Sequence, residues 1–322
     1  MDNIESQIEV SGLMALYRDL NLSVEDLAIV SRMIARTDLF YRSFRIPKRR
    51  GGTRLISSPY PTLDKIQKSI LQNVLEDYLP HDSAYAYVKN KCAVGHARYH
   101  LGSREILQLD IKEYFPSISR QMIFGALSRN GCDPKKASYI SILCTLKNAL
   151  PQGACTSPML SNLVFFPIDV RFSKLASSLR LRYSRYADDI VFSGGKVPRD
   201  LPGLVRKILL DHHFCLNEDK TQFKIFGAKK IITGVSISSG VLKAPKAFKR
   251  NLRAQIHELE RNKFHLSSQK EFDPLVFERI LGRVNYLLQI EPDNIFALQK
   301  KKVLSFHHQE FLGLIDDFCL DI

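Results

Sequence analysis

Aspartates in two β-prone segments constrain the fold of this chain more than any other feature. Asp110 interrupts the short apolar run 106–111, where a carboxylate is costly unless it is paired or binds a metal. Asp188 and Asp189 are adjacent at the turn between two short β-prone runs within residues 182–193. Taken singly, each could be a strand-end cap or a solvated turn. If these strands share one sheet, Asp110 and Asp188 lie side by side, and their oxygens suit Mg²⁺ and phosphoryl transfer.

The charge of the chain favours a polyanionic partner. Lys and Arg number 47 and Asp and Glu number 33, which gives a formal net charge of +14. Basic surfaces bind phosphate backbones because binding releases counterions. Hydrophobic residues make up 45% and charged residues 25% of the chain, which excludes a disordered or coiled-coil protein. A carboxylate pair in a basic chain indicates nucleotidyl transfer on a nucleic acid.

Three features indicate the cellular compartment. Residues 1–10 carry three acidic side chains and no apolar core, so no signal peptide is predicted. No apolar run approaches the ~20 residues that span a bilayer. The six cysteines include no CxxC pair, which is typical of reduced thiols and not of a zinc site or a disulfide framework. We therefore predict a cytoplasmic protein that does not contact a membrane.

Apolar periodicity predicts an alternation of helices and short strands. Helices are expected over residues 14–37, 63–79, 120–130, 159–175 and 201–213. Strands are expected over 106–111 and on both sides of the 187–189 turn, and hairpins over 46–56 and 229–243. From Pro245 onward, apolar residues recur every three or four positions, which predicts a helical lobe with a basic face.

Five segments in a fixed order resemble the motifs of reverse transcriptases. Residues 107–118 read LQLDIKEYFPSI, like the first palm motif, and residues 150–158 read LPQGACTSP, like the second. Residues 185–189 read RYADD and are similar to the Tyr-x-Asp-Asp box of the family. Residues 216–221 read LNEDKT, like the fourth motif, and residues 232–235 read ITGV, like the hairpin that grips the primer.

The resemblance covers about residues 45–310 and implies a fold and a domain organisation. The implied fold is an α+β right-hand polymerase with fingers, a palm built on an antiparallel sheet, and a helical thumb. The implied domains are an N-terminal helical extension over 1–44, fingers and palm over 45–243, and a thumb over 244–322. The implied activity is RNA-directed DNA synthesis from dNTPs.

The resemblance also implies which residues bind metal and catalyse the reaction. Two Mg²⁺ ions per site are expected, with Mn²⁺ as a substitute. The expected metal ligands are the carboxylates of Asp110 and Asp188, the Ile111 carbonyl and, as a weaker contributor, Asp189. Lys220 matches the proton donor to pyrophosphate, because a cation there lies near the leaving phosphate.

Further residues match positions that contact nucleotide and nucleic acid. Phe115 matches the steric gate, a ring beneath the sugar that would clash with a 2′-OH. The expected dNTP contacts are Lys48, Arg54, Phe115, Gln152 and Gly153. The expected nucleic-acid contacts are Arg49, Arg50, Tyr186, Thr233, Gly234, Lys246, Lys249, Arg250 and Arg253.

Within the family, the chain resembles the bacterial retron reverse transcriptases. Residues 83–88 (SAYAYV) and 96–100 (HARYH) are similar to the retron Asn-Ala-x-x-His region, with His96 in place of Asn, and Ile-Thr-Gly replaces the usual Val-Thr-Gly. The resemblance implies that the protein binds one structured noncoding RNA, primes from a 2′-OH within it and makes a branched RNA–DNA hybrid (msDNA). It also implies a role in antiphage defence, with a separate effector protein that the complex restrains.

Alternatives stay open at this point. The chain could be another defence-associated reverse transcriptase, or an RNA-binding scaffold that restrains a toxic effector, or an RNA-dependent RNA polymerase. Tyr85 and Tyr87 lie near Lys89 and Lys91 and could stack on single-stranded RNA or pack in a core. The pair of histidines at 96 and 100 suits a structural role or an RNA contact better than a metal.

Overall fold

The computed structural model describes residues 16–17, 20, 24–48, 51–261 and 275–320. Packing divides the chain into two compact units. The first unit is Met1–Cys92 with Ser103–Ile225, and the second unit is Ala93–Gly102 with Phe226–Ile322. The hairpin predicted over 229–243 thus packs with the second unit, although the sequence boundary of the thumb was set at 244. The three predicted domains stay a prediction.

Helices and short strands alternate along the described residues. The helices are α1 (Val24–Ala35), α2 (Pro61–Asn73), α3 (Ala93–Tyr99), α4 (Arg120–Arg129), α5 (Pro134–Leu143), α6 (Ser157–Ser178), α7 (Leu201–Leu210), α8 (Lys246–Arg261), α9 (Val276–Ile290) and α10 (Ile295–Leu320). The strands are β1 (Tyr41–Pro47), β2 (Thr53–Pro59), β3 (Glu105–Asp110), β4 (Arg182–Tyr186), β5 (Asp189–Gly194), β6 (Gln222–Lys224), β7 (Ile231–Ile232) and β8 (Val235–Ser236). Short 3-10 turns cover Thr37–Phe40 and Glu218–Lys220.

An antiparallel four-stranded sheet lies at the centre of the first unit, in the order β4-β5-β3-β6. The register of β3 on β5 places Asp110 opposite Asp189, and that of β4 on β5 places Tyr186 opposite Asp189. The prediction that these distant strands share one sheet is confirmed. The edge strand β6 was not predicted, because three residues are too few to show a period.

Helix α6 covers the sheet and supplies much of the core. Half of its 22 residues are buried, and it packs against β4. Phe165 and Phe172 contact Phe214, Tyr183 and Phe192 edge-on or tilted, with ring centroids 5.2–5.8 Å apart. Each fully buried aromatic ring stabilises the fold by roughly 1.5–3 kcal/mol, so this packing fixes the strands on which the aspartates lie.

The hairpin of β1 and β2 is longer than predicted. Its register runs from Tyr41 opposite Pro59 to Pro47 opposite Thr53. The base of the hairpin is buried at Tyr41 and Pro59, whereas β1 is otherwise exposed. Gly51 and Gly52 have φ angles of 91° and 77°, which only glycine adopts at little cost. The sequence showed the turn, but the polar outer residues concealed the length of the strands.

Two helices end earlier than predicted. Helix α2 ends at Asn73 and not at residue 79, because the N–H groups of Val74 and Leu75 both donate to the Ile70 carbonyl and close the last turn. Helix α7 ends at Leu210 and not at residue 213. The left-handed φ of 62° at His213 ends it in the manner of a helix C-cap.

Helix α5 was not predicted, although its start signal is visible in the sequence. Asp133 accepts hydrogen bonds from the N–H groups of Lys135 and Lys136, both at 3.0 Å, and Pro134 occupies the first turn. An acidic cap followed by proline is a typical helix start. Of the helix predicted over 14–37, the structure describes residues 16–17, residue 20, α1 and the two residues after it; the other residues before α1 lie outside the described residues.

The second unit is mainly helical. Helix α9 packs against α8 and α10, and α3 packs against the hairpin of β7 and β8. Glu291, just after α9, accepts hydrogen bonds from the Ala244 N–H at 2.9 Å and the Lys249 amine at 3.0 Å, which ties the start of α8 to the end of α9. Among the described residues, no helix combines the length and the apolar character that a bilayer crossing requires.

His96 and His100 are fully buried in this unit, with ring centroids 5.6 Å apart. Their burial favours the structural reading over an RNA contact. Burial lowers the pKa of His96 to about 3, so the folded protein holds this ring neutral.

This burial predicts that the second unit is less stable in acid. Below pH 6.5 the unfolded chain takes up a proton at His96 that the folded chain does not bind until about pH 3, so stability falls as the pH drops through that window. From pH 7 to pH 5, His96 should lower the free energy of unfolding by about 2 kcal/mol. Urea titrations at both pH values should show that His96→Leu loses less free energy of unfolding between pH 7 and pH 5 than the wild type does. The exposed control His257→Gln should lose as much as the wild type.

Candidate active site

Asp110, at the end of β3, is the best-anchored acidic residue of the site. Asp110 is only 6% exposed. Its Oδ1 accepts a hydrogen bond from the Asn217 side chain at 2.9 Å, and its Oδ2 pairs with the Lys220 amine at 2.8 Å. The Asn217 N–H also donates to the Asp110 carbonyl at 2.8 Å. The fourth motif therefore lies directly against the first.

Asp188 lies in the tight turn between β4 and β5. The preceding residue, Ala187, has a φ of 55°, and the Ile111 N–H donates to the Asp188 carbonyl at 3.0 Å. Burial raises the pKa of Asp188, and the nearby charge of Asp110 raises it further, although Lys220 and Arg54 oppose this shift. The sheet thus brings Asp110 and Asp188 together, as predicted.

Asp189 lies at the margin of this pair. It is exposed, and its charge acts on Lys224 of β6, whose pKa is lowered by burial and raised in part by Asp189. The weaker role expected for it stays a prediction.

The donor set at this turn fits a divalent cation of the Mg²⁺ kind. Two carboxylates meet beside the Ile111 backbone, and carboxylate and carbonyl oxygens are the ligands that hard cations prefer. Burial, and to a smaller extent the charge of Asp110, raise the pKa of Asp188, and a cation bound beside this side chain would favour its ionised form. The described residues contain no cluster of three or more His, Cys, Asp or Glu side chains arranged around a common point, so the number of ions stays a prediction.

A buried ion pair supports the turn from below. Arg185 and Asp169 are both fully buried, and their side chains meet at 2.7 and 2.9 Å. Burial lowers the pKa of the Arg185 guanidinium, but Asp169, Tyr114 and Tyr183 outweigh this effect and hold it above its ordinary value. Such a pair is stable only when its remaining donors and acceptors are also satisfied.

The other donors of Arg185 and acceptors of Asp169 connect the ion pair to the turn that contains Asp188. Arg185 donates to the Ala187 carbonyl at 3.2 Å, to the Tyr114 hydroxyl at 3.1 Å and to the Asn162 side chain at 3.0 Å. The Tyr183 hydroxyl donates to Asp169 at 2.6 Å. One guanidinium thus fixes both the backbone before Asp188 and the residue before Phe115.

The second motif packs against the β1–β2 hairpin. The Ser57 N–H donates to the Gln152 carbonyl at 2.7 Å. Gly153 has a φ of 121°, and a Cβ atom there would lie 2.9 Å from Ile56 Cγ2 and 3.0 Å from the Ser57 carbonyl oxygen. This close approach of two backbones explains the glycine better than an ordinary turn would.

We expect Gly153→Ala to weaken both the fold and nucleotide incorporation. The new methyl group clashes with the Ser57 backbone and needs a left-handed φ, so the free energy of unfolding should fall by about 1–3 kcal/mol. Gly195→Ala is the matched control, because no heavy atom lies within 4 Å of the added methyl group. Urea denaturation and single-nucleotide extension measure the two effects, and equal behaviour of the two variants would contradict the packing argument.

The other predicted nucleotide contacts lie in the same unit. Lys48 and Arg54 are exposed near the tip of the hairpin, and the charge of Arg54 acts on Asp188. Phe115 is half-buried, with its ring centroid 5.4 Å from Tyr114 and 6.3 Å from Tyr87. Their contacts with a nucleotide stay predictions.

The predicted nucleic-acid contacts are divided among several places. Tyr186 is half-buried at the end of β4, whereas Arg49 and Arg50 lie outside the described residues. In the second unit, Thr233 and Gly234 form the β7–β8 turn, and the Thr233 hydroxyl donates to the Ala93 carbonyl at 2.8 Å. Of the predicted contacts on α8, Lys246, Arg250 and Arg253 are exposed, with Arg253 over the Phe296 ring, whereas Lys249 is largely occupied by Glu291.

Three residues near the site were not predicted. Asp169 could have been found, because a lone acid on the apolar face of a long helix needs a partner. Asn217 carried no signal beyond its place beside Lys220 in the fourth motif. For Tyr87 the sequence is equally compatible with stacking on single-stranded RNA and with packing in a core, because its neighbours in the fold are distant in the chain.

Comparison with known proteins agrees with this geometry. The family model for reverse transcriptase (RNA-dependent DNA polymerase) matches residues 46–275. The chain is 30% identical over 291 residues to the retron Mx162 reverse transcriptase of Myxococcus xanthus, a match that covers 79% of this chain and 60% of that protein. It is 26% identical over 286 residues to the retron Ec86 reverse transcriptase of Escherichia coli, which covers 88% of this chain and 85% of that protein.

The fold is also similar to solved structures. Apo telomerase from Candida tropicalis superposes with a TM-score of 0.54 at 14% identity, covering 85% of this chain and 61% of that one. Candida albicans telomerase in complex with a fragment of telomeric RNA gives a TM-score of 0.51 at 10% identity, covering 83% and 63%. These likenesses confirm the predicted right-hand polymerase fold. The chain belongs to the reverse transcriptase (RNA-dependent DNA polymerase) family and is similar to the retron members of that family.

Proposed function

We propose that this chain is an RNA-directed DNA polymerase that copies part of a structured noncoding RNA into single-stranded DNA. The observation that carries the proposal is the meeting of Asp110 and Asp188 at one sheet end, with Lys220 paired to Asp110. A protein that only binds RNA has no need of two acidic side chains held together at one sheet end, where burial and the charge of Asp110 raise the pKa of Asp188.

In this proposal, Asp110, Asp188 and the Ile111 carbonyl hold Mg²⁺, with Asp189 as a weaker contributor and Mn²⁺ as a substitute. When bound, divalent cations stabilise the negative charge that develops on the attacking and leaving oxygens of phosphoryl transfer. Asn217 keeps the Asp110 carboxylate oriented through its hydrogen bond to Oδ1. The Arg185 network keeps the Asp188 turn in place through the Ala187 carbonyl.

The remaining roles concern the nucleotide. The Lys220 Nζ lies 2.8 Å from Asp110 Oδ2, and the side chain is half-exposed, so it can turn toward a leaving phosphate and donate a proton to it. Arg54, with Lys48, contacts the triphosphate, since a guanidinium binds phosphate oxygens in a bidentate manner. Phe115 selects against a 2′-OH, and Gln152 with Gly153 line the pocket on the side of the hairpin.

The retron-specific part of the proposal concerns the RNA and the product. The protein binds one structured noncoding RNA, primes from a 2′-OH in it and forms msDNA, an RNA–DNA hybrid. The relatives that are named retron reverse transcriptases and the net charge of +14 support this part. A role in antiphage defence with a separate effector protein, in the cytoplasm, is the corresponding biological proposal.

The test is a primer-extension assay on purified protein. The RNA transcribed beside the gene should copurify, and DNA should lengthen when dNTPs and Mg²⁺ are supplied, stop with EDTA and resume with excess Mg²⁺. A matched assay with GTP in place of dGTP distinguishes an RNA polymerase. Purified protein that binds the RNA but never extends DNA would overturn the proposal and favour the scaffold alternative.

A further inference from the structure

The structure points to a second aromatic residue in nucleotide selection. We propose that Tyr87 is a positioning residue for sugar discrimination, which holds the Phe115 ring in place so that a ribonucleoside triphosphate is excluded and a deoxyribonucleoside triphosphate is accepted. The inference rests on the proposed polymerase function and on the place of Phe115 at the sugar.

The backbone before Tyr87 is tied firmly to the catalytic strand. The Tyr85 N–H donates to the Arg185 carbonyl, and the Arg185 N–H donates to the Ser83 carbonyl, both at 2.8 Å. The Asn162 side chain donates to the Ala86 carbonyl at 3.0 Å. Ala84 therefore forms an isolated parallel bridge with Arg185 of β4, and Tyr87 directly follows this anchored segment.

Tyr87 itself adopts a conformation that tyrosine seldom takes. Its φ is 61°, in the left-handed region that disfavours side chains other than those of Gly, Asn and Asp. Such backbone persists only where the surrounding structure determines it, and it concentrates at functional sites. Here the three hydrogen bonds of the preceding residues supply that constraint.

The ring of Tyr87 lies beside the predicted steric gate. Its centroid is 6.3 Å from that of Phe115, at an interplanar angle of 53°. Tyr114 lies against Phe115 as well, at 5.4 Å, and is itself buried and bonded to Arg185. Phe115 is therefore held by two aromatic neighbours, of which Tyr114 belongs to the core and Tyr87 is 49% exposed.

The charges around Tyr87 belong to the same site. Burial raises the pKa of its hydroxyl, the charge of Asp188 and the neighbouring Tyr186 raise it further, and Arg54 opposes them. Tyr87 therefore lies within electrostatic range of a catalytic carboxylate and of the predicted triphosphate contact.

The consequence is a selective effect on the sugar. The contact between two aromatic rings stabilises their arrangement, so its loss should change the preference for dNTP over NTP by up to about tenfold. Without Tyr87 the Phe115 ring has one aromatic neighbour fewer and can rotate away from a 2′-OH. Ribonucleotide incorporation should then rise, with dNTP incorporation little changed.

The experiment compares Tyr87→Ala with Tyr87→Phe. Single-nucleotide extension measures kcat/KM for dGTP and for GTP on one RNA template and DNA primer. We expect Tyr87→Ala to lower the dGTP-to-GTP ratio about fivefold to tenfold, mainly through a lower KM for GTP, and Tyr87→Phe to retain the wild-type ratio because the ring is kept. Tyr60→Ala removes a tyrosine of similar exposure, 45%, elsewhere in the unit and should leave the ratio unchanged.

Phe115→Ala separates this inference from the proposal on which it rests. If Phe115→Ala lowers the ratio and Tyr87→Ala does not, Tyr87 has no part in selection although the polymerase function stands. If Tyr87→Ala reduces dGTP and GTP incorporation equally, its role is structural and the inference fails. If the wild type extends no primer at all, the proposed function itself fails.

Discussion

An Asp188→Asn enzyme is expected to bind template and primer like the wild type and to extend the primer about a thousandfold more slowly. Loss of a metal-binding carboxylate removes several kcal/mol of charge stabilisation from the transition state, and each 1.4 kcal/mol is about tenfold in rate. Rapid-quench extension and filter binding measure the two quantities separately. Asp189→Asn is the comparison, since that side chain is exposed at the margin of the site and should cost considerably less.

The same substitution should not weaken the fold. Burial and the charge of Asp110 raise the pKa of Asp188, so at neutral pH the ionised side chain is less favourable in the folded than in the unfolded chain. Removal of the charge should therefore leave the melting temperature in metal-free buffer equal or higher. Mg²⁺ should raise the melting temperature of the wild type more than that of the variant. A variant that loses activity together with its folded structure would refute this account of the site.

Asp169→Asn is expected to cause the largest loss of stability. The substitution leaves the fully buried Arg185 guanidinium without its counter-ion, and breaking a buried pair in this way costs about 3–5 kcal/mol. Urea denaturation measures the change. Asp211→Asn is the matched control, because the Arg171–Asp211 pair has the same chemistry at 3.0 Å but is nearly half-exposed, and exposed pairs contribute about 0–1 kcal/mol.

A double variant distinguishes the structural from the catalytic use of this pair. Arg185→Met with Asp169→Asn removes the unpaired buried charge, so part of the lost stability should return. The Ala187 carbonyl, however, still lacks its donor, so primer extension should stay slow. Recovery of both quantities together would mean that the network does not position the catalytic turn.

The candidate site at Asp110 could be predicted from the sequence because the energetic cost of a carboxylate in an apolar strand is local. A charge in a β-prone run needs a partner, and that requirement is visible at Asp110 without any knowledge of the fold. The hydrogen bond from Asn217 and the contact between Tyr87 and Phe115 could not be predicted in this way. Both join residues that are distant in the chain, and both depend on the register of strands that the sequence does not state.

Element boundaries were harder to predict than element types. The apolar pattern of residues 63–79 continues past Asn73, but the helix ends there because two N–H groups compete for the Ile70 carbonyl. The pattern of β1 is hidden because six of its seven residues are exposed. By contrast, the Asp133 cap followed by Pro134 is visible in the sequence and indicates the start of α5.

The β1–β2 hairpin is fixed at one end only. Its base is fixed, because the Ser57 N–H donates to the Gln152 carbonyl and the backbone at Gly153 lies directly against the backbone of Ser57. Its free end carries Lys48 and Arg54, and among the described residues no backbone contact of this kind fixes that end. If a bound triphosphate draws in the free end, the hairpin bends there while the Gln152–Gly153 loop at the fixed base keeps its position. Capture of the nucleotide and the shape of its pocket would then depend on opposite ends of one hairpin.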